Sequence, residues 1–145
     1  MRECRCTPLQ VQRYRSRLSG PLRDRIDLTV EVTALPVEAL AGAPDGESSA
    51  VVRERVIAAR ARQALRFGDH AVGVNAALSG RALRQHCQPD RQGVRLLAAA
   101  IHRLGLSARG YDRVLKVART IADLAGFDAV AGEHLAEALQ YRIVE

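Results

Sequence analysis

Two arginines in this 145-residue chain stand where a guanidinium can meet phosphate. Arg25 lies in Gly20-Pro21-Leu22-Arg23-Asp24-Arg25-Ile26-Asp27, just ahead of a segment that alternates apolar and polar residues. An arginine at such a boundary projects a rigid, permanently charged fork that suits bidentate contact with phosphate. The competing reading is a solvated side chain, or a surface pair with Asp24 or Asp27. Arg109 lies in Leu106-Ser107-Ala108-Arg109-Gly110, in the first turn of a predicted helix. Positive charge there opposes the helix dipole by roughly a few tenths of a kcal/mol. Such a placement is a reason to look for an anion, which a helix N-terminus also attracts. Gly110 would let a ligand or another backbone come close. An ordinary exposed arginine accounts for the same spacing, so both sites stay open.

Other candidates are weaker. Arg53, Arg55, Arg60, Arg62 and Arg66 cover much of one predicted helix, opposed within it only by Glu54. That face can contact DNA, with Arg53 and Arg60 as the candidate contacts, or it can simply be solvated. Cys4 and Cys6 can supply two thiolates to zinc, but a structural site takes four ligands. The four histidines (70, 86, 102 and 134) have no metal-ligand spacing. Cys87 on a helix reads as a small buried residue. No nucleophile–base or paired-carboxylate spacing is present. Lys116 is the only lysine and does not follow glycine, so the GxxxxGK[ST] phosphate loop is excluded from this chain.

The elements that must carry these residues are mostly helical. Thr7 and Pro8 open a basic helix over 8–18, which Ser19-Gly20-Pro21 breaks. Residues 26–33 (Ile-Asp-Leu-Thr-Val-Glu-Val-Thr) predict a strand with one buried face. A lone strand cannot satisfy its own backbone groups, so this one implies a sheet completed by other chain and suggests a truncated unit. Residues 36–47 read as a linker. Ser48 or Ser49 then caps a helix to about Phe67, with Val52, Val56 and Ala59 on one stripe. Ser79 caps a short helix to about His86. Asp90 caps another to Leu104, facing Leu97, Ile101 and Leu104 inward and stopping at Gly105. Ser107 caps the clearest helix, with Tyr111, Val114, Leu115, Ala118, Ile121, Ala122 and Ala125 on one face and Gly126 as its end. A last helix near 131–142 buries Leu135, Ala138 and Leu139. The short connections around 105–107 and 126–131 predict that consecutive helices pack antiparallel.

Composition agrees with this. At 48% hydrophobic and 26% charged residues the chain is globular, and its length suits one domain. No apolar run reaches the roughly 20 residues of a membrane helix. Aromatics are 3% with no Trp, which argues against a base-stacking platform. Three unevenly spaced cysteines point to a reducing, cytoplasmic setting. The net charge of +6 is concentrated: residues 1–25 carry +5, and the other 120 only +1. A basic strip of this kind contacts something anionic, whether phosphate, DNA or an acidic neighbour.

Longer strings add a resemblance that runs in order along nearly the whole chain. Cys4-Arg5-Cys6-Thr7-Pro8, Arg13-Tyr14-Arg15, Arg17-Leu18-Ser19-Gly20-Pro21-Leu22, Asp24-Arg25-Ile26-Asp27, Gly46-Glu47-Ser48-Ser49 and Arg53-Glu54-Arg55-Val56 carry its first part. Leu104-Gly105-Leu106-Ser107-Ala108-Arg109, Tyr111-Asp112-Arg113, the run from Leu115 to Leu124, and Glu137-Ala138-Leu139-Gln140-Tyr141-Arg142 carry the rest. Together they resemble the magnesium-chelatase-like AAA+ ATPases of the competence protein ComM subfamily. The resemblance implies a mainly α fold, the C-terminal helical lid bundle of such an ATPase. Ahead of it stands a helix-and-strand remnant of the α/β nucleotide-binding core, whose Walker motifs would lie upstream. Residues 1–40 would then be core, 41–47 linker and 48–145 lid.

By the same resemblance Arg25 is an arginine finger acting on ATP in the adjacent subunit. Arg109 is the sensor 2 arginine touching nucleotide in its own subunit, and Arg17 is a second phosphate or interface contact. Cys4 and Cys6 are half of a four-cysteine metal cluster, incomplete here. The implied partners are the missing core, five further copies in a hexamer, and DNA remodelled during natural transformation, with no membrane. ATP and Mg belong to the full-length protein, and the segment alone is expected to bind neither and to be inactive. Two other readings remain: a free-standing helical DNA-binding module, which would not need the 26–33 strand, and an ATPase subunit of a metal chelatase.

Overall fold

The computed structural model describes residues 5–36, 42, 46–68 and 73–142. Among them lie seven α-helices: α1 (Pro8–Arg15), α2 (Gly20–Arg23), α3 (Ser49–Phe67), α4 (Gly80–His86), α5 (Arg91–Leu104), α6 (Ala108–Leu124) and α7 (Gly132–Gln140). A 3-10 turn at Asn75–Ala77 precedes α4. The mainly helical expectation holds.

Local chemistry sets the helix starts. The Thr7 hydroxyl accepts from the Gln10 N–H, and the Gln10 side chain accepts from the Thr7 N–H, a reciprocal cap with Pro8 behind it. Ser48, Asp90 and Ser107 cap α3, α5 and α6 through their side-chain oxygens. Gly105 closes α5 at φ +60°, the left-handed conformation that favours glycine. Two expectations at the N-terminus are corrected. α1 ends at Arg15 rather than 18, because it buries no residue and lacks the packing that extends helices. Ser19-Gly20-Pro21 does not simply break the chain: Ser19 caps the one-turn helix α2.

The 26–33 strand is also corrected. Among the described residues this stretch joins no sheet, and Leu28, Val30 and Val32 are exposed. Its Thr29 N–H donates instead to the Tyr141 carbonyl at 3.0 Å. No second strand among the described residues supplies the ladder that alternation requires. A strand therefore cannot decide between the readings set out above.

The core is Leu78, Leu83, Cys87, Leu97, Ala100, Val114, Leu115, Ala118, Ala122, Val130, Leu135, Ala138 and Leu139. α6 is its centre and packs against α3, α4, the 3-10 turn and α7. α5 rests chiefly on α7 rather than on its sequence neighbour α6, against the expectation from loop length. The cause is local. Asp90 Oδ1 accepts from Gly93 N–H at 2.6 Å and Oδ2 from Gly132 N–H at 3.4 Å, so one carboxylate joins the starts of α5 and α7. Gly93 permits the approach, since a Cβ there would lie 2.5 Å from Leu135 Cδ1. Pro89 and Val130 form a parallel bridge beside this junction.

Burial departs from the expected stripes at their ends. Ile101 and Leu104 of α5, Ala125, and Val52 and Val56 of α3 are exposed. In α3 only Ala59 and Gln63 are buried, because its contacts with α6 gather in the C-terminal half.

Candidate functional site

Asp24 and Asp27, the acids that would neutralise Arg25, are engaged elsewhere. Asp24 Oδ2 accepts from Ser107 Oγ at 2.8 Å, and Oδ1 lies 3.6 Å from Arg142 Nη2. Asp27 pairs with Arg113 of α6. Arg142 also donates to the Ile26 carbonyl at 2.5 Å. Arg25 itself is exposed and makes no ion pair among the described residues.

Ser107 has a second task. Its oxygen accepts from the Gly110 N–H at 3.1 Å, capping the helix that opens with Arg109. The segment bearing Arg25 and the first turn bearing Arg109 are thus joined through one hydroxyl. Arg109 is exposed and also unpaired among the described residues. Gly110 is buried, and its close neighbour is not open space for a ligand but Arg142, whose Nη2 a Cβ would approach to 3.3 Å.

Arg17 is exposed, with its guanidinium 5.9 Å from the Tyr14 ring. The arginines of α3 divide. Arg55 binds Glu47 in bidentate fashion, Arg62 pairs with Asp128, and Arg66 turns inward to Asp123. Arg53 and Arg60 are exposed, Arg60 donating to Gln63 Oε1 at 3.1 Å. The outward basic face is therefore smaller than five residues suggest. Cys6 is exposed and Cys4 lies outside the described residues. Among the described residues no group of three His, Cys, Asp or Glu is arranged for a metal.

A buried polar network, not foreseen from sequence, holds α3, α6 and the following loop. Asp123 accepts from Arg66 at 2.6 and 2.8 Å and from Asn75 at 2.7 Å. Arg119 Nη2 lies 3.0 Å from Asp123, while its guanidinium donates to the Phe127 and Asp128 carbonyls. Burial would raise the Asp123 pKa, but donation from Arg66 and Asn75 and the nearby positive charges hold it below the usual value. Burial lowers Arg119 against the pull of Asp123, and Arg66 is raised chiefly by its bond to Asp123. One signal existed: Arg119 and Asp123 sit four apart beside Ala118 and Ala122, charges inside an apolar stripe.

Known proteins match along this whole arrangement. Residues 46–142 match the family described as magnesium chelatase, subunit ChlI C-terminal, and residues 1–40 match magnesium chelatase, subunit ChlI. Competence protein ComM of Haemophilus influenzae is 45% identical over 95% of the chain, which covers 26% of that protein. Uncharacterized protein YifB of Salmonella typhimurium is 45% identical over 97%, covering 27% of its length. An uncharacterized protein of Mycobacterium bovis is 41% identical over 97%, covering 28%. The chain thus spans about a quarter of the length of these curated relatives. No helix among the described residues is long and apolar enough to cross a membrane. With a C-terminal family model covering the helical bundle and a second model covering the segment that carries Arg25, the chain belongs to the magnesium-chelatase-like AAA+ family.

Proposed function

We propose that this chain is the lid and adjoining core segment of a hexameric, cytoplasmic AAA+ ATPase that remodels DNA, in the manner of branch migration during natural transformation. The observation that carries the reading is the pairing of two exposed, unpaired arginines on segments joined through Ser107. Two guanidinium forks free of internal carboxylates have the charge and donor geometry that a triphosphate requires. ATP with Mg, bound in the assembled protein, supplies the phosphoryl bond that is broken. Arg25 reaches the terminal phosphate of the neighbouring subunit's nucleotide and stabilises transition-state charge, an effect of about 10³–10⁵ in rate in related systems. Arg109 contacts nucleotide in its own subunit. Arg17 is a further interface or phosphate contact, and Arg53 and Arg60 contact DNA. Cys4 and Cys6 would complete a metal cluster only with thiolates from elsewhere. The isolated segment has no phosphate loop and does not turn over ATP.

The test uses the full-length protein. Arg25→Ala is expected to abolish ATP turnover while hexamers still form in sedimentation. Undiminished turnover would return Arg25 to an ordinary surface role. Arg53→Ala with Arg60→Ala is expected to weaken DNA binding and flatten its salt dependence. A chelatase role has support in the family's description, and porphyrin binding by the full-length protein would favour it.

A further inference from the structure

We propose that Asp24, Asp27, Arg113 and Arg142, with Ser107, are positioning residues that lock the Arg25 segment onto the opening turn of α6. Arg25 and Arg109 then move as one body. The inference rests on the reading of Arg25 and Arg109 given above and adds how the two sites communicate.

The contacts are dense and local. Within six residues, Asp24 takes Ser107 and Arg142, the Ile26 carbonyl takes Arg142, Asp27 takes Arg113, and the Thr29 N–H reaches the Tyr141 carbonyl. Arg25 lies between the two pinned acids. Its own side chain is left outward because both neutralising carboxylates are occupied. Arg142 and Arg113 are only 11% and 23% exposed as side chains, so their pairs are screened less than surface bridges. Arg142 lies over buried Gly110, where no side chain competes for the space.

Hydrophobic packing does not supply this attachment. The described residues from 5 to 36 include none that is buried, and Ile26 and Leu28 on either side of Asp27 are exposed. Polar contacts of fixed direction hold an orientation that exposed apolar contacts would not. When nucleotide at Arg109 turns the α6 start, the pins carry Arg25 with it relative to the next subunit's ATP. A small misplacement of a group that acts on the transition state costs rate rather than ground-state binding.

The full-length protein tests this through turnover. Asp27→Arg is expected to lower kcat by about ten- to a hundredfold with KM for ATP within about twofold, as lost positioning predicts. Adding Arg113→Asp restores the pair with reversed charge and should recover most of the rate. In the 145-residue chain, Arg142→Ala should speed amide exchange at residues 25–29 and leave 114–122 unchanged. Normal kcat in Asp27→Arg, beside an inactive Arg25→Ala, would overturn the lock and leave the finger reading intact. Full activity of Arg25→Ala would overturn both. Slowed turnover with no recovery in the double variant, or unaltered exchange at 25–29, would also reject the lock.

Discussion

The Asp123 carboxylate grips both terminal nitrogens of Arg66, at 2.6 and 2.8 Å, across the interface between α6 and α3. Asp123 is 1% exposed and the Arg66 side chain 12%, so water cannot replace either partner. Removing one member of a buried pair leaves the other charge uncompensated, which costs about 3–5 kcal/mol. Here two guanidinium groups would be stranded. Asp123→Ala is expected to lose at least this much in denaturant unfolding, with a loss below about 1 kcal/mol excluding a structural role for the network.

The same carboxylate sets an acid limit. Its folded pKa lies below the ordinary value of 3.8, so its contribution is complete above that value. As pH falls from 3.8 through the depressed folded pKa, the unfolded chain binds the proton first and the contribution is lost. The stability gap between the native chain and Asp123→Asn should therefore narrow as pH drops below 3.8. A gap that stays constant from neutral pH to pH of about 2.5 would contradict the assignment.

Cys87 is fully buried, and burial pushes its thiol up to about 11. Thiolate is the reactive form, so both access and ionisation protect it. In a Cys4→Ser, Cys6→Ser background, alkylation of Cys87 by iodoacetamide at neutral pH should follow unfolding and accelerate sharply in denaturant. Rapid labelling under native conditions would place Cys87 outside the core.

Asp90 serves two helix starts, whereas Ser48 serves one exposed start. Loss of a cap costs about 0.5–2 kcal/mol, typically about 1. Asp90→Ala should reach or exceed the upper end of that range, and Ser48→Ala should stay near the lower end. Equal losses by thermal or chemical unfolding would show that the bond to Gly132 contributes nothing.

Much of the architecture is local and hence legible in the chain itself. The caps at Thr7, Ser48, Asp90 and Ser107, the stop at Gly105, and the buried faces of α6 and α7 depend on neighbours within a turn or two. The 3.6-residue period carries that information directly. The exposed placement of Arg25 and Arg109 at element starts belongs to the same class.

What the tertiary structure alone decided are the pairings between residues far apart in sequence. Periodicity is blind to whether Arg66 turns in to Asp123 or out to solvent, and only the former leaves Arg53 and Arg60 as the outward cations. It is equally blind to α5 resting on α7, which follows from the Asp90–Gly132 bond and the space at Gly93. The alternation at 26–33 called for a ladder, yet a ladder needs a second strand, and here the backbone bond goes to Tyr141. A helix closes its hydrogen bonds within itself, whereas strands, ion pairs and interhelical contacts are completed only by distant chain.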